Sequence, residues 1–417
     1  MVKTNTEALL KEAVFSKDAA KRAENFRLIR AAAEKVEIYP ASIQTLYEAA
    51  GQGKVSGMTV PAINIRMLTY DTAQAVFRAA LKNRVAALSF EIARSEIGYT
   101  KQPPAEYAAC VLAAAIAAGY KGPVFIQGDH YQVRRAMYRD NAAGELSDIK
   151  NLIKESIDAG FYNIDIDAST MVDISKDDLV EQQALNSKIT AEMTHYIRDI
   201  EPEGVTVSVG GEIGEIGKGN STPADLRAFM SGYLKQLPEG MKGISKISVQ
   251  TGTTHGGVVL PNGTIAKVSL DFNVLKDISK VAREEYKMGG AVQHGASTLP
   301  DDAFDMFPKM ETIEVHLATG FQNIVYDSAM FPKDLLASIY KYLDTSAANE
   351  RKSGETDEQF HYNTRKKAFG EFKKELWTMP EANLKGIMEE LENRFALIFQ
   401  KVNVTGSKKL IKEYYQR

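Results

Sequence analysis

The chain has one cysteine, Cys110, and one tryptophan among its 417 residues. A single cysteine excludes an intramolecular disulfide, which fits a protein that works in a reducing compartment. No apolar run approaches the roughly 18 residues that a membrane-spanning helix needs. The first forty residues carry charges throughout and lack the apolar centre of a signal peptide. We therefore expect a cytoplasmic protein with no membrane partner.

Charge of one sign is not in excess either. Lysine and arginine number 51, aspartate and glutamate number 54, and the formal net charge is −3. Such a balance gives no electrostatic reason to expect nucleic acid or an anionic membrane as partner. With 44% hydrophobic residues, the chain can bury a sizeable core, and it is long for a single domain.

Short apolar segments alternate with helical patterns through the middle of the chain. The strand candidates are Val60–Ile65, Val85–Ile92, Pro123–Gln127, Tyr162–Ile166, Val205–Val209, Ile244–Gln250, Gly290–Gln293 and Gln322–Tyr326. Eight strand–helix units over about 270 residues predict an α/β fold, a (β/α)8 TIM barrel. The alternative is a doubly wound open sheet, which rarely has eight regular units. The chain also lacks the Gly-x-Gly-x-x-Gly turn after its first strand.

We assign the barrel to residues 59–344 and expect a helical extension on each side of it. Residues 1–58 have helical patterns, most clearly the amphipathic segment 19–36. Residues 345–417 begin with a polar stretch up to Thr364 and continue with helical spacing of apolar residues over 369–399. These outer helices are expected to pack on the barrel or on a second subunit, and we expect a homo-oligomer.

Three of the six histidines end short apolar segments and have glycine within two residues: His130, His255 and His294. In a β/α barrel the carboxyl ends of the strands meet at one face, where catalytic groups gather. Three imidazoles at that face would form a metal site with an open coordination position. The remaining histidines lie in predicted helical or polar segments and are interpreted as structural or surface residues: His195, His316 and His361.

Two carboxylates accompany these predicted ligands. Asp129 precedes His130 and could act as a general acid or base beside the metal. The simpler alternative is a histidine capped by its neighbour in a packed loop. Glu212 lies in the glycine-rich run after the fifth predicted strand, where it could bind metal or take a proton. The alternative there is a plain turn with solvated acids.

Glycines and hydroxyls follow the same histidines. Gly256 follows His255, and Gly295 and Ser297 follow His294. Backbone N–H groups and a hydroxyl in such turns can form a nest for a phosphate.

Asp327 and Ser328 follow the predicted eighth strand. Asp327 would repel a phosphate, so a sugar hydroxyl is its expected partner. The alternative is that both residues cap the end of the strand.

Four motifs together resemble the class II, metal-dependent ketose-bisphosphate aldolases: Gly-Asp-His at 128–130, Ser-Val-Gly-Gly-Glu-Ile-Gly at 208–214, Gly-Thr-Thr-His-Gly at 252–256 and His-Gly-Ala-Ser at 294–297. The resemblance covers residues 60–330. It implies Zn²⁺, or another divalent metal, held by His130, His255 and His294, with Asp129 as acid/base and Glu212 beside the metal. It also implies a phosphate seated by four residues and an acid at the sugar: Gly256, Gly295, Ser297 and Ser328, with Asp327.

The implied activity is reversible cleavage of a phosphorylated sugar. Fructose or tagatose 1,6-bisphosphate would give dihydroxyacetone phosphate and glyceraldehyde 3-phosphate. A lysine Schiff base is another solution to this chemistry, but none of the predicted strands ends in lysine at the barrel mouth. Two alternatives stay open. One is a non-catalytic accessory subunit of a tagatose-bisphosphate aldolase complex, and the other is a metal enzyme on the same barrel with a different substrate.

Overall fold

The structure, a computed structural model, describes residues 2–214, 219–252, 260 and 270–415. The strands are β1 (Ile38–Ala41), β2 (Val60–Asn64), β3 (Ser89–Ala93), β4 (Gly122–Gln132), β5 (Asn163–Asp167), β6 (Ser208–Glu212), β7 (Lys246–Val249), β8 (Ala291–Gln293) and β9 (Glu314–Leu317). The helices up to β8 are α1 (Val2–Phe15), α2 (Ala19–Glu34), α3 (Gln44–Gly51), α4 (Thr69–Asn83), α5 (Arg94–Thr100), α6 (Pro104–Ala118), α7 (Arg135–Asp140), α8 (Ala142–Ala159), α9 (Leu179–Ile200), α10 (Pro223–Leu234) and α11 (Phe272–Tyr286). Those after β8 are α12 (Met306–Lys309), α13 (Thr319–Asp327), α14 (Lys333–Ser346), α15 (Asp357–Thr364), α16 (Lys373–Trp377), α17 (Glu381–Lys401) and α18 (Lys408–Tyr414).

Eight of the strands close into a barrel. Their order around the sheet is β4-β3-β2-β9-β8-β7-β6-β5, and a further pairing between β4 and β5 completes the ring. All neighbouring strands run parallel. The predicted (β/α)8 barrel is therefore confirmed.

The predicted eighth strand, Gln322–Tyr326, is wrong. This segment belongs to helix α13, and the eighth barrel strand is β9, a few residues earlier. The buried residues of α13 are Phe321, Gln322, Val325 and Tyr326, which is the spacing of one helix face. In β9, by contrast, Glu314 and His316 alternate with Val315 and Leu317, which is the period of a strand.

Residues 1–58 are not helical throughout. Strand β1 lies there and pairs parallel with the first half of β4, from Ile38 opposite Gly122 to Ala41 opposite Phe125. Pro40 is tolerated because β1 is an edge strand outside the barrel ring. The side chain of Asn163 adds two hydrogen bonds at the end of β1. Its Nδ2 donates to the carbonyl of Ala41, and its Oδ1 accepts from the N–H of Ile43.

The outer segments pack on the barrel helices. Helix α17 lies against α4, and its Phe395 ring contacts Phe321 of α13 at 4.8 Å. Trp377 stacks on Tyr70 of α4 at 6.5 Å and meets the edge of Phe15 from α1. The C-terminal helices therefore pack on the barrel, which is one of the two positions expected for them. Among the described helices, none has both the length and the apolar character needed to span a bilayer.

Candidate functional site

A cavity of about 560 Å³ opens at the carboxyl ends of the barrel strands. Asp129 and His130 of β4 line it, together with His294, which follows β8, and His316 of β9. In a β/α barrel this is the face on which active sites are built. The cavity is therefore the candidate site.

An irregularity in β4 aims two adjacent side chains at this cavity. Gly128 pairs with Ile164 but Tyr131 pairs with Ile166, so β4 carries one extra residue at this point. His130 has φ of 42°, a left-handed conformation that is uncommon for a residue with a side chain. Glycine is needed at 128 because a Cβ there would lie 2.4 Å from the Tyr131 ring. The bulge explains how Asp129 and His130 share one site within a strand.

Three imidazoles surround one oxygen of Asp129. Its Oδ1 lies 3.1 Å from Nδ1 of His316, 3.4 Å from Nε2 of His294 and 3.9 Å from Nε2 of His130. The ring centroids of His130 and His294 are 4.1 Å apart, and those of His294 and His316 are 4.2 Å apart. The Asp129 side chain is buried among these three rings.

Two further carboxylates contact the opposite side of the His130 ring. Nδ1 of His130 lies 3.0 Å from Oδ2 of Asp167 and 3.2 Å from Oε2 of Glu212. Asp167 is itself fixed, because Gln132 Nε2 donates to it at 2.6 Å and the Ser169 hydroxyl donates at 2.7 Å. With Nδ1 engaged in this way, Nε2 of His130 is the nitrogen that faces Asp129 and His294. A carboxylate that orients a histidine through its second nitrogen is typical of metal sites.

A second polar layer fills the barrel below the cavity. Gln127 and Glu314 lie two residues before Asp129 and His316 on the same strands, so they occupy the next layer down. Lys246, fully buried at the start of β7, donates to Gln127 at 2.8 Å, pairs with Asp165 at 2.9 Å and contacts Glu314. Gly210 leaves room for this pairing, since a Cβ there would lie 2.2 Å from Asp165 Oδ1.

The lower layer joins the upper layer through His316. Nε2 of His316 lies 2.6 Å from Glu314, while Nδ1 lies 3.0 Å from Glu91. At the bottom, the hydroxyl of Tyr47, from helix α3, donates to Glu314. Many TIM barrels fill this space with branched aliphatic side chains. Here it holds a continuous polar network that fixes the ring of His316.

The three imidazoles differ in their charge state. Burial lowers the pKa of His294 well below its ordinary value, and the charges of His130 and His316 lower it further. Burial opposes a charge on His130, yet Asp129 and Glu212 raise its pKa well above the ordinary value. For His316, burial is likewise outweighed by Glu91 and Asp129, and the pKa is raised well above normal. His294 is therefore neutral at pH 7, which is the form of imidazole that binds metals.

The carboxylates also differ from one another. Burial opposes ionisation of Asp129, but the charges of His130 and His316 hold its pKa well below the ordinary value. Burial and the nearby charge of Asp167 raise the pKa of Glu212 to about 7. Asp129 is thus ionised at neutral pH, whereas Glu212 is close to its midpoint.

The chemistry of this donor set fits a divalent metal. One ligand atom from each of Asp129, His130 and His294 lies within 4.8 Å of the others, and the same holds for Glu91, Asp129 and His316. Imidazole nitrogens and carboxylate oxygens are the donors that zinc and related metals take. Among the described residues, Lys246 is the one lysine or arginine that pairs with the carboxylates of the two layers. These carboxylates are Glu91, Asp129, Asp165, Asp167, Glu212 and Glu314.

Comparison with known families decides the relationship. The family described as fructose-bisphosphate aldolase class-II matches residues 41–382 of the chain. The chain belongs to this family. No curated protein matches the sequence.

Solved structures similar to this chain share its fold at low sequence identity. Fructose-bisphosphate aldolase from Campylobacter jejuni is 18% identical with a TM-score of 0.53, over 89% of this chain and 98% of that chain. Fructuronate-tagaturonate epimerase from Cohnella laeviribosi is 12% identical with a TM-score of 0.60, over 91% of this chain and 86% of that chain. At such identities the likeness concerns the fold alone.

The structure brings together some of the site residues expected for a class II aldolase. Asp129, His130 and His294 meet at the cavity, with Gly295 and Ser297 in its lining. Glu212 lies beside them, in contact with His130. His255 and Gly256, a predicted metal ligand and a predicted phosphate contact, lie outside the described residues.

Asp327 and Ser328 are placed away from the cavity. Both lie at the end of helix α13, where Asp327 pairs with Arg365 at 2.9 Å and the Ser328 hydroxyl donates to Glu390. These partners belong to the C-terminal segment. The expected sugar contact of Asp327 depended on a strand that this segment does not form.

Sequence reasoning missed several residues of this candidate site. His316 is not a surface residue, since only 4% of its side chain is exposed and it lies in β9. The signal for it was the alternation of Glu314 and His316 with apolar neighbours. Arg66 and Lys366 also line the cavity, but no recognisable sequence motif surrounds them.

Two of the remaining histidines lie outside the cavity. His195 contacts Gln236, and His361 contacts Asp344.

Proposed function

We propose that this class II aldolase family member is a metal-dependent lyase that reversibly cleaves a phosphorylated ketose. The preferred substrate class is a ketose 1,6-bisphosphate, with fructose and tagatose bisphosphates as the first compounds to test. The products would be dihydroxyacetone phosphate and glyceraldehyde 3-phosphate. The observation that carries this proposal is the convergence of three imidazoles on Asp129 at the floor of one cavity.

His130 and His294 would hold the metal, together with His255 from the segment outside the described residues. Zn²⁺ is our preferred ion. A divalent ion bound there supplies a Lewis acid that stabilises negative charge on the ketone and neighbouring hydroxyl oxygens. Asp167 and Glu212 would fix the ring of His130 by accepting its Nδ1–H, which leaves Nε2 as the ligand atom.

Asp129 would move the proton of the bond-breaking step. It is ionised at neutral pH, and it lines the cavity. In cleavage it would accept the proton of the hydroxyl on the carbon that becomes the aldehyde. The electrons of the broken carbon–carbon bond would remain with the ketone half. In synthesis Asp129 would return the same proton.

Gly295 and Ser297 would bind a phosphate of the substrate. They form the loop after β8, the seventh strand of the barrel, and Gly295 has φ of 69°. The N–H of Gly320 at the start of α13 donates to the Ser297 hydroxyl at 3.0 Å, which fixes that loop against the next one. Loops after the seventh and eighth strands are frequent phosphate sites in β/α barrels.

A Schiff base on Lys246 does not fit the described site. Lys246 lies at the start of β7, below the cavity, where only 1% of its side chain is exposed. Burial opposes its charge, but Asp165 and Glu314 raise its pKa. A protonated amine cannot attack a ketone, so the metal route is preferred. The donor cluster of the described residues likewise favours a catalytic protein over a non-catalytic accessory subunit, since a scaffold has no need of it.

Treatment with a chelator tests the proposal. We expect EDTA to abolish cleavage of fructose or tagatose 1,6-bisphosphate and a divalent metal to restore it, because the bound ion would be the Lewis acid that stabilises the charge on the ketone half. Elemental analysis of the protein before and after treatment supplies a readout that does not depend on turnover. Full activity in chelator would contradict the metal mechanism. Failure to retain any divalent metal would favour the accessory-subunit alternative.

Asp129→Asn separates proton transfer from metal binding. The amide keeps the size of the side chain but cannot accept the substrate proton. We expect kcat to fall about 10²- to 10⁴-fold, the usual contribution of a general acid or base. Metal content should be largely retained because His130 and His294 are unchanged. The measurement is kcat beside elemental analysis of the same sample.

The matched control is Asp158→Asn, because Asp158 is an exposed residue of α8 that pairs with Lys154. It should leave kcat unchanged. A normal kcat in Asp129→Asn would exclude the proposed role of Asp129.

A further inference from the structure

Four cationic side chains line the same cavity as the histidines. Arg94 and Arg134 pair with Glu145, and the other two come from distant parts of the chain. Arg66 follows β2, and Lys366 lies in the short 3₁₀ helix Arg365–Ala368 of the C-terminal segment. Ser297 lines the cavity with them. The C-terminal segment, which lies beyond the last barrel strand, therefore contributes a charge to the site.

Arg66 is held rigidly. Its Nε donates to Glu96 at 2.7 Å, and its Nη1 lies 3.3 Å from the side-chain oxygen of Gln322. Glu96 also accepts from the Asn64 amide at 2.7 Å and from the N–H of Ala93 at 2.8 Å, so its charge is shared among several donors. Nη2 of Arg66 makes no hydrogen bond to a described residue. One edge of a fixed guanidinium thus remains available to a ligand.

Lys366 differs from the two basic residues beside it. Arg365 pairs with Asp327, and Lys367 pairs with Glu350. The ammonium of Lys366 is half-buried and makes no hydrogen bond or ion pair with the described residues. Burial lowers the pKa of Lys366, and the nearby charge of Arg66 lowers it further. Two cations therefore share one wall of the cavity, with Glu96 as their nearby carboxylate.

We propose that Arg66 and Lys366 form an anion subsite that binds a phosphate group of the substrate. The assignment of that phosphate to a ketose rests on the function proposed above. A phosphate monoester has three terminal oxygens, so it can accept from the Arg66 guanidinium and the Lys366 ammonium together. Its charge would also remove the repulsion between these two cations. Gly295 and Ser297 lie in the lining of the same cavity, where they can contribute further donors.

Phosphate binding to single-residue variants tests this subsite. Inorganic phosphate is titrated into the full-length protein and followed by calorimetry. We expect Lys366→Gln to weaken binding about tenfold, the effect of losing one charge-assisted hydrogen bond, and to raise KM for the sugar phosphate more than it lowers kcat. Lys366→Arg should keep the affinity within about threefold of wild type, because the charge is retained. Arginine cannot form a Schiff base, so this rescue also excludes covalent use of the amine.

Lys367→Gln is the matched control. It removes the same charge one residue away and should leave phosphate affinity and KM unchanged. A wild-type protein that does not bind phosphate, or equal losses in the two glutamine variants, would overturn the subsite. Trapping of substrate on Lys366 by borohydride would overturn it too.

Calorimetry does not depend on turnover, so the subsite and the proposed function can fail separately. A protein that cleaves no ketose phosphate but loses phosphate affinity in Lys366→Gln would refute the function and support the subsite. Aldolase activity with unchanged KM and phosphate affinity in that variant would support the function and refute the subsite.

Discussion

Replacement of His130 by alanine is expected to strip the purified protein of its divalent metal and to lower aldol cleavage more than roughly a hundredfold. Loss of a residue that only orients a ligand already costs about 10–100-fold in metal affinity or activity, so loss of a ligand should exceed that range. Alanine keeps the Cβ, so the bulged backbone of β4, with φ of 42° at this position, is not relieved. The measurements are elemental analysis, kcat/KM and the melting temperature of the same preparation.

His195→Ala is the control for this experiment. His195 lies on α9, and its ring contacts the backbone carbonyl of Gln236. This variant should keep both metal and activity. If His130→Ala retains a full complement of metal, the ligand set proposed here is wrong, even if activity falls for another reason.

Replacement of Lys246 by methionine is expected to lower the free energy of unfolding by about 3–5 kcal/mol. Methionine fills similar space but removes the cation that Asp165 and Glu314 share inside the barrel. Breaking a buried ion pair from one side costs about this much because the remaining charge has no partner. Urea denaturation followed by circular dichroism gives the measurement.

Lys242→Met provides the comparison. Lys242 pairs with Glu48 on the surface, with 59% of the lysine side chain exposed. Surface ion pairs contribute about 0–1 kcal/mol, so this variant should be close to wild type. Equal stability in the two variants would mean that the lower layer does not depend on the Lys246 charge.

Most of the barrel could be predicted because seven of its strands lie in apolar segments between helical patterns. The eighth was misplaced for a physical reason. Ile324, Val325 and Tyr326 are residue types that favour strands. The buried residues of this segment nevertheless follow helical spacing, and the segment forms helix α13. The true strand, β9, has Glu314 and His316 in alternate positions, so it did not look like a buried strand. Polar residues are buried there because the barrel interior itself is polar.

The same cause explains what was missed in the candidate site. Asp129, His130 and His294 follow predicted strands and have glycine nearby, which sequence alone can reveal. His316 was interpreted as a structural or surface residue because its segment was predicted to be helical or polar. Lys366 lies beyond the last strand, and its approach to the cavity depends on how the C-terminal helices dock. Long-range docking of this kind leaves no local pattern in the sequence.

Tyr47 lies at the bottom of the barrel and Lys366 at its mouth, yet neither belongs to the segment between the first and last barrel strands. A shortened version cut around the eight strands would leave Glu314 without its phenol partner and would lose a positive charge from the cavity wall. Boundaries for truncation, circular permutation or fusion should therefore be set by these two side chains and not by counting strands.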